Sequence, residues 1–121
     1  MGRAVLLKHT IPDGSWHYDW LVERAPGAAL MAFRVRDWID GALGPGFEAE
    51  AMPDHRRDYL DYEGEVSGGR GRVERVAIGE MRIAADGFER VVIEGSLGAV
   101  RGRFEGRRIE DDRWWFEFAA W

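Results

Sequence analysis

Cysteine is absent from the 121 residues, which excludes a disulfide framework, a thiolate metal site and a cysteine nucleophile. Long apolar runs are absent too. None could cross a bilayer as a helix, and residues 1–7 are too short for a signal peptide. Together these set the expectation of a soluble, cytoplasmic protein without a membrane partner. A positive charge balance is also lacking: the formal net charge is -5, which argues against a protein that grips duplex DNA mainly by releasing counterions. Lysine is nearly missing, since of 17 Lys+Arg only Lys8 is lysine. The remaining cations are arginine, whose planar fork suits phosphate oxygens, although a general codon preference is the simpler source of that bias.

What is there reads as one domain, 1–121, long enough to bury a core without staples. Short alternating runs suit strands at residues 28–35, 73–78, 81–84, 88–93, 99–104 and 113–119, after two more that carry His9 and His17. Turn chemistry stands between the later runs at Gly79, Asp86-Gly87, Gly95-Ser96, Gly106 and Asp111-Asp112. Residues 36–43 suit a short helical turn or a loop. Residues 47–52 read as an edge strand that Pro53 stops. The expectation is a mainly β protein, a small antiparallel β-barrel of seven or eight strands with one or two short helical turns, a closure that removes exposed edges.

The chemistry concentrates between Lys8 and Glu23. In an extended run His17, Asp19, Leu21 and Glu23 point one way and Tyr18, Trp20 and Val22 the other. His9 ends the preceding apolar run, and a connection through Pro12, Asp13 and Gly14 would return the chain beside it. Two imidazoles and a carboxylate, His9, His17 and Asp19, form a recognised divalent-metal set with positions left for substrate. The expected place is the mouth of the barrel. His55 and Tyr59, four apart, share a side in either a helix or a strand. The Trp residues suit core or rim better than base-stacking platforms.

His9, then His17-Tyr18-Asp19 and Leu21-Val22-Glu23, followed by Asp54-His55, Tyr59 and Tyr62-Glu63-Gly64, resemble the 3′-phosphoesterase domain of bacterial DNA ligase D. Arg101-Gly102-Arg103-Phe104 and residues 114–118 are similar to that family's closing strands, so the likeness covers nearly the whole chain. It implies a metal-dependent phosphoesterase of DNA repair that removes a 3′ phosphate or terminal ribonucleotide. His9, His17 and Asp19 would hold manganese, and His55 and Tyr59 would contact the substrate phosphate. The implied partners are a nucleic-acid 3′ end, DNA or an RNA–DNA primer, and a repair ligase or polymerase. Glu23 could orient a ligating imidazole or sit on solvent at a strand end. Asp54 could orient His55 or begin a turn, and Tyr59 could equally be an ordinary barrel aromatic.

The chain departs from the family in ways that bear on catalysis. Leu21 stands where the repair enzymes carry a phosphate-binding Arg, Met31 stands where a Lys is expected, and Val76-Ala77 replaces a Trp-Asp pair. Arg70 and Arg72, or Arg101 and Arg103, each pair alternating onto one strand face, could restore the lost charge, although solvated arginines are the default. Two other functions fit the same residues: a binding module for metal or nucleic-acid ends that does not turn over, and a non-haem iron oxygenase built on His17-x-Asp19.

Overall fold

A computed structural model describes residues 1–38 and 46–121. The strands are β1 Gly2–Thr10, β2 Trp16–Glu23, β3 Leu30–Val35, β4 Gly46–His55, the short β5 Gly64–Glu65, β6 Arg72–Asp86, β7 Arg90–Leu97, β8 Val100–Glu110 and β9 Arg113–Ala120. They run side by side in the order β1-β2-β3-β4-β9-β8-β7-β6, and β6 pairs back onto β1, so eight antiparallel strands close into a barrel. β5 only adds a short pairing to β6. Among the described residues there is one helical segment, the 3-10 turn Arg57–Leu60. The turn or loop expected at 36–43 falls largely at 39–45, outside the described residues.

Several expected breaks lie inside strands. Gly79, Gly95 and Gly106 are in β6, β7 and β8, where a side chain would collide with the neighbouring strand. A Cβ at Gly106 would lie 2.6 Å from the Phe116 ring, and one at Gly79 would lie 1.9 Å from the Ser96 carbonyl oxygen. These glycines admit a close neighbour instead of turning the chain. β4 is likewise no edge strand: it pairs with β3 on one side and β9 on the other. It runs past Pro53 because the β3–β4 register shifts there, between the pairs Ala32↔Met52 and Leu30↔His55, so the proline needs no ladder hydrogen bond.

Alternation along the strands separates two apolar clusters. Inside the barrel, fully buried Trp20 meets Phe104 at 5.0 Å, Phe116 at 5.3 Å, Phe33 at 6.1 Å and Phe47 at 6.2 Å between ring centroids. An eight-stranded barrel is just wide enough to be filled by side chains, and here rings fill it. The second cluster is on the outer wall. Val5 and Leu7 of β1, Leu21 of β2, and Leu30 and Ala32 of β3 are buried beneath Leu60 and Val66. Val73 joins them because the β1–β6 register shifts between Leu6↔Ala77 and Leu7↔Arg75, turning the first part of β6 outward.

The segment joining β4 to β6 therefore roofs one face of the barrel. Charged anchors tie it down. Arg57 donates to Glu23 of β2 and, at 3.0 Å, to the Ala28 carbonyl; Arg3 of β1 reaches Asp61 at 2.6 Å. Arg75 of β6 donates to the Leu60 carbonyl at 3.3 Å. The roof thus rests on apolar contact in its middle and on arginine at its edges, and the candidate site opens where it ends.

Candidate metal centre

His9 and His17 are directly paired across the β1–β2 ladder, and Asp19 follows two positions along the same face of β2. All three belong to the outward set that continues Leu7 and Leu21. They lie on the outer wall and not at the barrel mouth, because the odd-numbered positions of β1 and β2 face away from the aromatic core. The imidazole rings meet edge to face with centroids 4.9 Å apart. His9 Nδ1 is 3.7 Å from one Asp19 oxygen and His17 Nε2 is 3.2 Å from the other. One donor atom from each residue can be chosen so that all lie within 4.8 Å of one another.

Two features fit this group to a cation. His17 Nε2 is buried and has no hydrogen-bond partner, although it lies beside the Asp19 carboxylate. A buried polar atom without a partner costs about 1–3 kcal/mol, which coordination would relieve. His9 Nε2 donates to the Arg70 main-chain carbonyl at 2.7 Å, because a carbonyl can only accept. That bond fixes the tautomer and leaves the Nδ1 lone pair for a metal, the arrangement by which ligating histidines are held. Donors on a common ion lie about 3–4 Å apart, so the widest separation in the group has to close by about 1–2 Å.

The carbonyl that holds His9 is itself placed by a glycine. Gly71 has φ +95°, and a Cβ on it would stand 2.0 Å from the Thr10 carbonyl oxygen. Only glycine lets the loop lie this close to the end of β1. Val66 N–H donates to the Gly71 carbonyl at 2.7 Å, and the Arg70 guanidinium folds back onto the Ser67 carbonyl at 2.8 Å.

A cleft of about 250 Å³ opens against the group, walled by His9, Asp19, Arg34, His55, Tyr59 and Arg70 among others. His55 and Tyr59 are therefore brought to the proposed ligands, with their rings edge to face at 5.8 Å. His55 Nδ1 donates to the Pro53 carbonyl at 3.0 Å, which leaves Nε2 as the ring nitrogen available to a ligand. Asp54 neither orients His55 nor starts a turn. It lies one residue before the end of β4, in a two-pronged ion pair with Arg24 at 2.8 and 2.9 Å.

Glu23 shares the face but not the site. Its carboxylate accepts from Arg57 and, at 3.2 Å, from the Arg3 N–H, and these donors hold its pKa below the usual glutamate range, Arg57 most of all. It fastens the roof and orients no imidazole. Of the four candidate phosphate-binding arginines only Arg70 lines the cleft. Arg72 is exposed opposite Thr10, and Arg101 and Arg103 project from the outer face of β8, which does not pair with β1 or β2.

The cation that sequence reasoning missed is Arg34. It stands directly opposite Asp19 in the β2–β3 register; its Nε is buried without a partner, while its Nη1 lies 3.7 Å from Glu50. Met31, which stands where the resemblance implies a Lys, points into the aromatic core. Alternation from buried Leu30 and Ala32 to Arg34 would have found it once β2 and β3 were aligned. Leu21, at 0% exposure, fills the outer apolar cluster, so no charge is accommodated there.

The chain is thus a closed eight-stranded antiparallel barrel with a His9, His17, Asp19 group on its outer wall that could hold a metal ion. Neither a scan against protein-family models nor a comparison with curated proteins finds a match.

Proposed function

We propose that this cleft is a metal-dependent phosphoesterase site acting on nucleic-acid 3′ ends, removing a 3′ phosphate or a terminal ribonucleotide in DNA repair. The observation that carries the proposal is the meeting of a cation-ready group with Arg34, His55 and Tyr59 around one small cleft. Phosphoester cleavage builds charge on the non-bridging and leaving oxygens. A divalent metal, manganese on this proposal, would supply Lewis acidity toward that charge when held by His9, His17 and Asp19.

The chain's own groups do the rest. Arg34 offers a guanidinium to the non-bridging oxygens, and the Tyr59 hydroxyl donates to another. Water attacks phosphorus as the bond to the 3′ oxygen breaks, and protonated His55 gives its Nε2 proton to that oxygen. The protein would work in the cytoplasm beside a repair ligase or polymerase that needs a clean 3′ hydroxyl.

Incubation with manganese and a duplex bearing a 3′-phosphorylated primer should release inorganic phosphate, and His55→Ala should abolish release. A second function, a binding module that holds an end without turnover, is favoured by buried Leu21, since β2 contributes no phosphate-binding charge. Metal-dependent binding with no phosphate release under any divalent ion would establish that module. Tightly bound iron with no response to manganese would point instead to oxygenase chemistry.

A further inference from the structure

A second compartment of about 470 Å³ shares His55, Tyr59 and Arg70 with the metal cleft and adds Asp54, Arg56 and Ser67 to its wall. We infer that it receives the phosphodiester one nucleotide in from the scissile phosphate, with Arg56 as the anion contact, an assignment that rests on the phosphoesterase reading above. The metal cleft is below the roughly 300 Å³ at which sites for whole small molecules begin, so it suits a terminal phosphate with part of its sugar. The remainder of the substrate must lie outside it, and the shared wall of His55, Tyr59 and Arg70 is where the two spaces meet.

The charges of this second space favour an anion. Asp54, its one acidic residue, accepts two hydrogen bonds from Arg24, which also pairs with Asp86, so its charge is partly offset and Arg56 with Arg70 leaves the space net positive. Arg57, next along the chain, is taken by Glu23. Arg56 is exposed and forms no ion pair among the described residues, so its guanidinium is available to a phosphate fork. The Tyr59 ring between the compartments offers an apolar face to the intervening sugar.

Beyond Arg56 the surface changes character. A third, smaller space of about 220 Å³ shares Arg56, Tyr59 and Ser67 with the second and adds Asp58 and Glu65, whose carboxylates outnumber that one guanidinium and would repel a further phosphate. The footprint therefore ends after one internucleotide phosphate. That distinguishes it from a groove that tracks a strand, and it suits a protein of net charge -5.

The test compares a 3′-phosphorylated mononucleotide, dinucleotide and tetranucleotide with the manganese-loaded protein. The kcat/KM should rise about tenfold from mono- to dinucleotide, the worth of one charge-assisted hydrogen bond, and stay level at the tetranucleotide. Arg56→Ala should erase the dinucleotide's advantage, and Arg56→Lys should keep part of it. The dinucleotide affinity of Arg56→Ala should also lose about 0.7 in log–log salt slope. Equal kcat/KM for mono- and dinucleotide, or a proportional loss on both in Arg56→Ala, would overturn the assignment. Equilibrium binding of the same nucleotides reads the same preference without turnover. Dinucleotide preference without hydrolysis sinks the phosphoesterase reading and keeps the compartment; hydrolysis without preference does the reverse, and neither binding nor hydrolysis sinks both.

Discussion

Arg57 and Glu23 form the ion pair that fastens the roof to β2, with Glu23 buried on the barrel wall and Arg57 half open to solvent above it. The pair links the acid stability of the fold to the ordering of the cleft, because the segment it holds also carries Tyr59, Val66 and Arg70.

A pH dependence follows from that link. Glu23 has its pKa depressed in the folded protein, so its contribution is complete above the ordinary glutamate range and is lost as pH falls through the folded-state value. Glu23→Gln should cost about 1–2 kcal/mol at neutral pH, less than a fully buried pair because Arg57 is partly solvated. Urea unfolding across pH checks this: the gap between wild type and variant should close in acid. A gap that persists unchanged at low pH would assign the loss to packing.

The centre should trade stability for metal binding. His17→Phe removes the buried unpartnered Nε2 and keeps a ring against His9, so the metal-free variant should gain about 1 kcal/mol over wild type. It should at the same time lose manganese binding, read by electron paramagnetic resonance of the free ion. Wild type, in contrast, should be stabilised by about 2.7 kcal/mol at a metal concentration of about 100 times Kd.

Gly71→Ala tests the loop that holds His9. The added methyl meets the Thr10 carbonyl at 2.0 Å in a left-handed backbone, so the loop must move and take the Arg70 carbonyl with it. A stability loss of about 2–4 kcal/mol is expected. Metal affinity should fall about 10–100-fold, the usual cost of losing the hydrogen bond behind a ligating imidazole. Titration at a temperature where both proteins are folded separates the two effects. Unchanged affinity would show that the Arg70 carbonyl does not position His9.

Charge at Arg34 and at Leu21 should act in opposite ways. Arg34→Ala should lower kcat/KM for a 3′-phosphorylated end about 100-fold with little change in melting temperature. Leu21→Arg, which installs the cation of the ligase-associated enzymes, should fail to raise activity and should cost about 3–5 kcal/mol by burying a charge among Val5, Leu7 and Leu60. Activity gained in Leu21→Arg would mean that the roof lifts to let position 21 reach the substrate.

Much of the fold was legible because one-face burial enforces alternation. The grouping of His17 with Asp19, opposed to Tyr18 and Trp20, followed directly from it. The meander of β1, β2 and β3 followed from the turns at Gly14 and Gly27, where backbone φ is +91° and +82°. Gly79, Gly95 and Gly106 misled because a glycine that makes space for a neighbouring strand looks, in sequence, like one that turns the chain. Whether a strand face points into the barrel or under a roof is also invisible to periodicity, since both faces of β1 and β2 are apolar. That is why the centre was expected at the mouth; Met31 was singled out by the resemblance instead, and it lies on the inner face of β3, opposite to the face that carries Arg34.

Among the described residues rings fill the lumen, which leaves the outer wall as the place to evolve specificity. The chemistry proposed for the barrel hangs on an exterior panel whose facing piece is a single stretch between β4 and β6. Editing the exposed positions of that stretch can retune what the panel accepts while the cylinder behind it folds as before, so sequence drift should be slowest at Trp20 and Phe116. A library confined to the exposed positions of the stretch, sparing Arg57, Leu60, Val66 and Gly71, would explore new substrates at little risk to folding.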